Sequence, residues 1–142
     1  MILLDTNVVS ALMRDHPEPA VVHWLDQQAG ESIWTTSITV FEVRMGLALL
    51  PAGRRQRSLQ ALFEELLTLD LAHRVLDFDS AAASQAAELA ARRQRAGRPV
   101  DMRDTQIAGI ALARRAAVAT RNLRHFADLE VPVLDPWASA GR

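Results

Sequence analysis

Met1-Ile2-Leu3-Leu4-Asp5-Thr6-Asn7-Val8-Val9-Ser10 opens the chain and decides how the rest is read. Ile2-Leu3-Leu4 is a short apolar run of the kind that fills a buried strand, and it stops abruptly at three polar residues. Asp5, Thr6 and Asn7 can bond free backbone N–H groups and start a helix, which Val8 to Met13 then continue. A strand passing straight into a helix is the first half of a β–α unit. Open α/β sheets bind ligands just outside the carboxyl ends of their strands, where Asp5 would stand. Asp5 thus has two readings, helix cap and site carboxylate.

The alternation continues along the chain. Pro17 and Pro19 mark a break before a helix over Ala20 to Gln28, and Ser32 to Thr36 is β-like. Ser37 is placed to cap a helix from Ile38 to Leu50, and Pro51 and Gly53 separate it from another over Arg54 to Leu69. Val75 to Phe78 reads as extended. Asp79 or Ser80 caps an alanine-rich helix to Arg95, which stops before Gly97 and Pro99. Asp101 caps the next, through Arg115, and Ala116 to Thr120 and Val131 to Leu134 are expected as closing strands. This order predicts an α/β fold, a three-layer sandwich with a mostly parallel central sheet flanked by helices. With no repeat, low-complexity tract or linker, a single domain over residues 1–142 is expected.

A chain of 142 residues, 49% hydrophobic and 23% charged, can bury a core without disulfides or structural zinc. It has no cysteine, which excludes thiol nucleophiles and thiolate metal sites. All 16 basic residues are arginine, which excludes a P-loop lysine, a Schiff base and the lysine of carboxylate-based phosphatases or receiver domains. No apolar run approaches the roughly 20 residues of a membrane helix. Met1 to Asp5 lacks the basic start of a secretion signal, so the cytoplasm is the expected compartment and no membrane is expected as partner. None of His16, His23, His73 and His125 stands at a zinc-ligand spacing from another. An active site here must run on carboxylates, histidine, hydroxyls or arginine.

Charge is unevenly spread: nine acids against five arginines give −4 over residues 1–70, and eight against eleven give +3 over residues 71–142. Arg92, Arg93, Arg95, Arg98 and Arg103 are opposed along their stretch only by Asp101. They read either as a solvated helix face or as a patch for a phosphate backbone.

Two further acids look out of place. On a helix, Glu42 shares a face with Ile38, Met45, Gly46 and Leu49, an apolar stripe on which an unpaired carboxylate is costly to bury. Gly46 would leave space beside it. Asp104 shares a face with Ile107, Ala108 and Ala111. The plain alternatives are exposure for Glu42 and a dipole-favoured first-turn position for Asp104. Three acids converging on one pocket would raise one another's pKa unless a cation neutralised them. Oxygen donors without thiolate suit magnesium or manganese, which activate water and steady the leaving oxygen in phosphodiester cleavage. Spacing alone leaves both readings of each acid open.

In this order the motifs resemble the PIN-domain family, specifically the VapC-type toxins of bacterial toxin–antitoxin pairs, in their FitB-like branch. Met1 to Ser10 is similar to the family's opening strand with its first aspartate. Ser37-Ile38-Thr39-Val40-Phe41-Glu42-Val43-Arg44-Met45-Gly46 is similar to the segment bearing its glutamate, and Asp104 to Ala111 to its third acidic motif. Ala119-Thr120-Arg121-Asn122 with Phe126, and Leu134-Asp135-Pro136-Trp137, resemble the closing strands. The resemblance implies a PIN fold and divalent-metal-dependent cleavage of RNA (tRNA or another structured cellular RNA). It carries Asp5, Glu42 and Asp104 over as the catalytic, metal-binding acids, with magnesium, or manganese, as cofactor. Asp5 and Asp104 are assigned to the metal, and Glu42 to completing its shell or orienting the attacking water. Thr6, Asn7, Thr120 and Asn122 are assigned to supporting these groups.

Many family members carry a fourth acid where this chain has Asn122, which can hold a metal or a water but cannot neutralise a second cation. Nearby His125 reads as a surface histidine or as one approaching substrate phosphates. The implied partners are a cognate antitoxin whose C-terminal segment lies in the groove, DNA only through that antitoxin, and a second copy in a homodimer. Val40 to Leu50 and Leu59 to Leu69 carry more leucine and valine than one buried face requires, and are candidates for that interface. A non-catalytic PIN-like domain that binds RNA or protein is the alternative, favoured only by Asn122.

Overall fold

The computed structural model describes residues 1–138, so the last four residues of the domain expected over 1–142 lie outside the described residues. Five strands form one sheet: β1 Ile2–Leu4, β2 Ile33–Thr36, β3 Val75–Leu76, β4 Ala117–Ala119 and β5 Val133–Leu134, in the order β3-β2-β1-β4-β5. Every pairing is parallel. Seven helices flank the sheet among the described residues: α1 Thr6–Leu12, α2 Pro19–Asp26, α3 Ser37–Leu49, α4 Arg54–Glu65, α5 Ser80–Arg95, α6 Met102–Arg114 and α7 Leu123–Phe126.

The two faces of β1 explain the layers. Successive side chains of a strand point to opposite faces. Leu3 packs with Leu89 of α5 and Ile107, Ala108 and Ile110 of α6. Leu4 packs the other way, with Val8 and Val9 of α1, Val43 and Leu47 of α3 and Phe63 of α4. A parallel strand covered on both faces needs no polar alternation, hence the unbroken Ile2-Leu3-Leu4.

Three local expectations are corrected. Ser37 does not cap α3: Thr36, extended at the end of β2, accepts from Thr39 N at 3.1 Å. Ser37 Oγ instead accepts from Phe78 N at 3.1 Å and ties the segment after β3 to α3. The helix expected over Arg54 to Leu69 is α-helical only to Glu65 and closes in a wider π turn, Leu66–Asp70. That wider turn keeps Leu66, Leu67 and Leu71 buried together. The sequence reading had no counterpart of α7, a single turn too short for helical periodicity to mark.

α5 and α6 pack closely at Gly109. A Cβ there would lie 2.5 Å from the Ala82 carbonyl oxygen and 2.6 Å from Ala86 Cβ. Gly109→Ala is therefore expected to lower unfolding stability by roughly 1–3 kcal/mol. A fall in the urea midpoint at unchanged slope checks this, and an unaltered midpoint would contradict the packing.

Topology positions the site. From β1 the chain builds outward through β2 and β3, then crosses back to lay β4 and β5 on the other side of β1. The direction reverses between β1 and β4, and the crevice outside their carboxyl ends is where such sheets hold ligands. Leu4 is in register with Ala119, and Asp5 N donates to Ala119 O at 2.9 Å. Asp5 and Thr120 thus leave the sheet side by side.

Candidate functional site

Asp5 fills both of its sequence readings. Its Oδ1 accepts from Thr6 N at 2.8 Å and caps α1. Its Oδ2 accepts from Thr120 Oγ1 at 2.8 Å and from Asn7 Nδ2 at 3.3 Å. The carboxylate is 2% exposed, and Thr6, Asn7 and Thr120 supply its hydrogen bonds.

The buried stripe of α3 is Thr39, Val43 and Leu47, not the Ile38, Met45 and Leu49 face the sequence suggested. Leu49 is 78% exposed. The stripe includes a polar residue, Thr39, which is fully buried with its hydroxyl bonded to those of Thr6 and Thr36. Glu42 stands at the edge of that stripe. Its Oε1 accepts from Thr6 Oγ1 at 2.9 Å, and its Oε2 faces Arg103 Nη1 at 3.5 Å.

Asp104 lies in the first turn of α6, capped by Asp101, whose Oδ1 accepts from Asp104 N at 3.0 Å. Its Oδ2 is hydrogen-bonded with His125 Nδ1. Ile107, Ala108 and Ala111 are buried beneath it.

The three acids come from the end of β1, from α3 and from α6. All three line one pocket of about 380 Å³, together with Thr6, Asn7 and Asn122. Thr120 is fully buried against Asp5, and its hydroxyl also accepts from Asn122 N at 3.0 Å. Burial raises Asp5 to about 6, helped by repulsion from Asp104 and Glu42, against hydrogen bonds from Thr120 and Thr6 that lower it. Burial likewise raises Asp104, opposed chiefly by the His125 hydrogen bond.

Around this pocket the arginine-rich stretch divides. Arg93 is not part of a surface patch, being 5% exposed. It grips Asp128 through Nε at 2.9 Å and Nη2 at 2.7 Å, and reaches Thr105 Oγ1 at 3.2 Å and the His125 carbonyl oxygen at 2.7 Å. Arg98 joins Asp128 at 3.1 Å, while Arg103 turns to Glu42. Asp128 and Glu42, distant in sequence, thus oppose cations that locally faced only Asp101. The spacing of Ala82, Ala86, Leu89 and Arg93 along the buried face of α5 was the available signal for Arg93. No comparable signal marked His125 as the partner of Asp104, because α7 is one turn long.

A hard divalent cation suits this set of carboxylate oxygens, with Asp5 and Asp104 both held above their ordinary pKa. Among the described residues, no three acidic or imidazole groups close on a single point. Magnesium ordinarily takes one or two carboxylates and keeps several waters, so a pocket this open suffices.

A parallel sheet carrying three acids at its switch point defines a class of α/β proteins with a carboxylate site. Residues 2–131 match the PIN domain model, and the chain belongs to the PIN-domain family. It is 44% identical over 137 residues to plasmid stability protein StbB of Pseudomonas syringae pv. tomato, covering 96% of this chain and 99% of that one. It is 39% identical over 140 residues to VapC ribonuclease Y4jK of Sinorhizobium fredii, covering 99% and 100%. Toxin FitB of Neisseria gonorrhoeae is 36% identical over 137 residues, covering 96% and 99%. The crystal structure of FitAcB from that organism matches with a TM-score of 0.82 at 36% identity, over 96% of this chain and 99% of that one.

Proposed function

We propose that this chain is a divalent-metal-dependent endoribonuclease, the toxin of a toxin–antitoxin pair, acting on tRNA or another structured cellular RNA. The observation that carries this reading is the meeting of Asp5, Glu42 and Asp104 in one pocket at the β1–β4 switch point. The names of the relatives, a ribonuclease and a toxin among them, support it.

Asp5 and Asp104 would hold magnesium or manganese, with Glu42 at its margin. The cation would supply positive charge that activates water and stabilises the leaving oxygen. The chain's own residues do the positioning. Thr120 and Asn7 fix Asp5 Oδ2, while Thr6 holds both Asp5 and Glu42, through its backbone N–H and its hydroxyl. Glu42, tethered at Oε1, orients the attacking water. His125 fixes the Asp104 carboxylate, and Asn122 offers a neutral amide at the rim, where a second cation would find no fourth acid.

A groove of about 910 Å³ adjoins the pocket and shares Thr6, Ser10, Arg14 and Glu42 with it. Met13, Val43, Leu47 and Leu50 line it, with Arg54 and Arg55. We assign it to the C-terminal segment of an antitoxin, through which alone the pair meets DNA. A homodimer would cover apolar side chains left open on the helical side, Phe41 and Leu49 at 55% and 78% exposure. Among the described residues no helix is long and apolar enough to cross a membrane. The proposal takes the whole chain as one domain acting in the cytoplasm.

The test uses mixed tRNA and a phosphomonoester, with and without magnesium or manganese, beside Asp5→Asn and Asp104→Asn. The expected result is tRNA cleavage that needs the cation and is lost in both variants. Cleavage that persists in chelator or survives both substitutions would overturn the metal site. Hydrolysis of the phosphomonoester alone would point to a phosphatase, and RNA binding without cleavage to a non-catalytic domain.

A further inference from the structure

Arg121 stands two residues beyond the end of β4 and lines the acidic pocket beside Trp137. Its backbone N donates to Asn7 Oδ1 at 3.1 Å, the same amide whose Nδ2 reaches Asp5, so the backbone at 121 is pinned to the acidic site. The guanidinium pairs with none of the three acids. Its Cζ lies 4.9 Å from the centre of the Trp137 ring, within cation–π range. Among the described residues its one carboxylate contact is Glu18 at 3.9 Å, between half-open side chains, and Arg14 competes for the same oxygen at 3.4 Å. Such a pair is screened by solvent and holds little.

Trp137 is the firmer half of the stack. Its backbone N–H donates to Asp135 Oδ1 at 2.9 Å, and its side chain packs against the core cluster that holds Leu4 and Val8. Its ring Nε1 is out of water and has no hydrogen-bond partner among the described residues. The ring is therefore held as a platform while the guanidinium above it stays 59% exposed, its donor edge free. Arg103 is engaged by Glu42, and Arg93 and Arg98 by Asp128, while Arg14, which also lines the pocket, has no ring beneath it and is drawn to Glu18. A planar fork held by one face, beside a pocket suited to a phosphodiester, is set for bidentate contact with phosphate oxygens.

We propose that Arg121, seated on Trp137, clamps the phosphate flanking the scissile bond and so positions the RNA strand across the acidic pocket. The inference rests on the ribonuclease reading and adds a substrate-positioning residue to it.

The experiment compares the unsubstituted chain with Arg121→Ala and Arg121→Lys, using mixed tRNA for cleavage. Anisotropy of a labelled mixed-sequence 12-nucleotide RNA measures binding, in an Asp104→Asn background that stops turnover. Arg121→Ala is expected to raise KM and weaken binding roughly tenfold, with kcat within about threefold. The slope of log affinity against log salt should shrink by about 0.7, the loss of one phosphate contact on a single strand. Arg121→Lys keeps the charge but not the fork, and should recover the salt slope with only part of the affinity. If Arg121→Ala leaves KM, affinity and salt slope unchanged while lowering the Tm, Arg121 only fastens the closing segment and the inference falls. If the unsubstituted chain neither cleaves nor binds RNA, the ribonuclease reading itself has failed.

Discussion

Asp5→Asn is expected to abolish RNA cleavage, by about a thousandfold or more, and to make the metal-free protein more stable above pH 6. Both effects come from one buried carboxylate. Its pKa is about 6 in the folded chain, against an ordinary 3.8. Protonated Asp5 favours the fold, so its contribution is fully present below pH 3.8 and is lost as the pH rises through 6. Across that window the unsubstituted chain forfeits up to about 3 kcal/mol that an uncharged asparagine would not. The new amide must still face Asn7 Nδ2 and Thr6 N, which trims the gain. Thermal unfolding of both proteins from pH 4 to pH 8, in chelator, checks the sign. The Tm values should be closest at pH 4, with the variant gaining on the unsubstituted chain as the pH rises through 6. Magnesium should then stabilise the unsubstituted chain more at pH 8 than at pH 5, and the variant much less. A variant that loses relative stability with rising pH would contradict the burial of an unneutralised charge.

The other large effect is on folding. Arg93→Met is expected to lower stability by about 3 kcal/mol, although the residue touches none of the three acids. Its side chain joins α5 to Thr105 of α6, to the carbonyl oxygen of His125 and to Asp128. The figure belongs at the low end for a broken buried pair, because Asp128 is partly solvated and keeps Arg98. Arg93 holds Asp128 below the usual carboxylate range, so this stability is present at neutral pH and is lost as the pH falls through the lowered value. The difference between the two proteins should therefore narrow on acidification. Since Arg93 anchors the turn that carries His125, cleavage by the folded variant should also drop, by about tenfold. Urea unfolding at pH 7 and pH 3, with rates measured on folded protein, separates the two effects.

What the sequence disclosed follows from what each signal depends on. Short apolar runs ending in capping residues located every strand, and the β–α alternation gave the parallel sheet, because these features are local. The expectation that Asp5, Glu42 and Asp104 share a site comes from one acid at a strand end and two on apolar helix faces, together with the ordered motifs. The structure brings all three to one pocket. Glu42 was singled out for a partly mistaken reason, since the buried stripe of α3 runs through Thr39 and past it. The links among supporting residues were not legible. Thr6 to Glu42 spans 36 residues, Thr120 to Asp5 spans 115, and Asp128 to Arg93 spans 35. Thr120 meets Asp5 through the crossover that lays β4 beside β1, Thr6 meets Glu42 where α1 packs on α3, and Arg93 meets Asp128 beyond α7, so no local window contains them.

Manganese binding and RNA cleavage, measured on the same preparations, test the central claim most directly. The account predicts that the unsubstituted chain binds manganese and cleaves tRNA in proportion to the occupied fraction. Asp5→Asn and Asp104→Asn should lose cation affinity by at least about tenfold to a hundredfold and lose cleavage with it. Manganese binding that is unchanged in both variants, or cleavage that ignores occupancy, would contradict it.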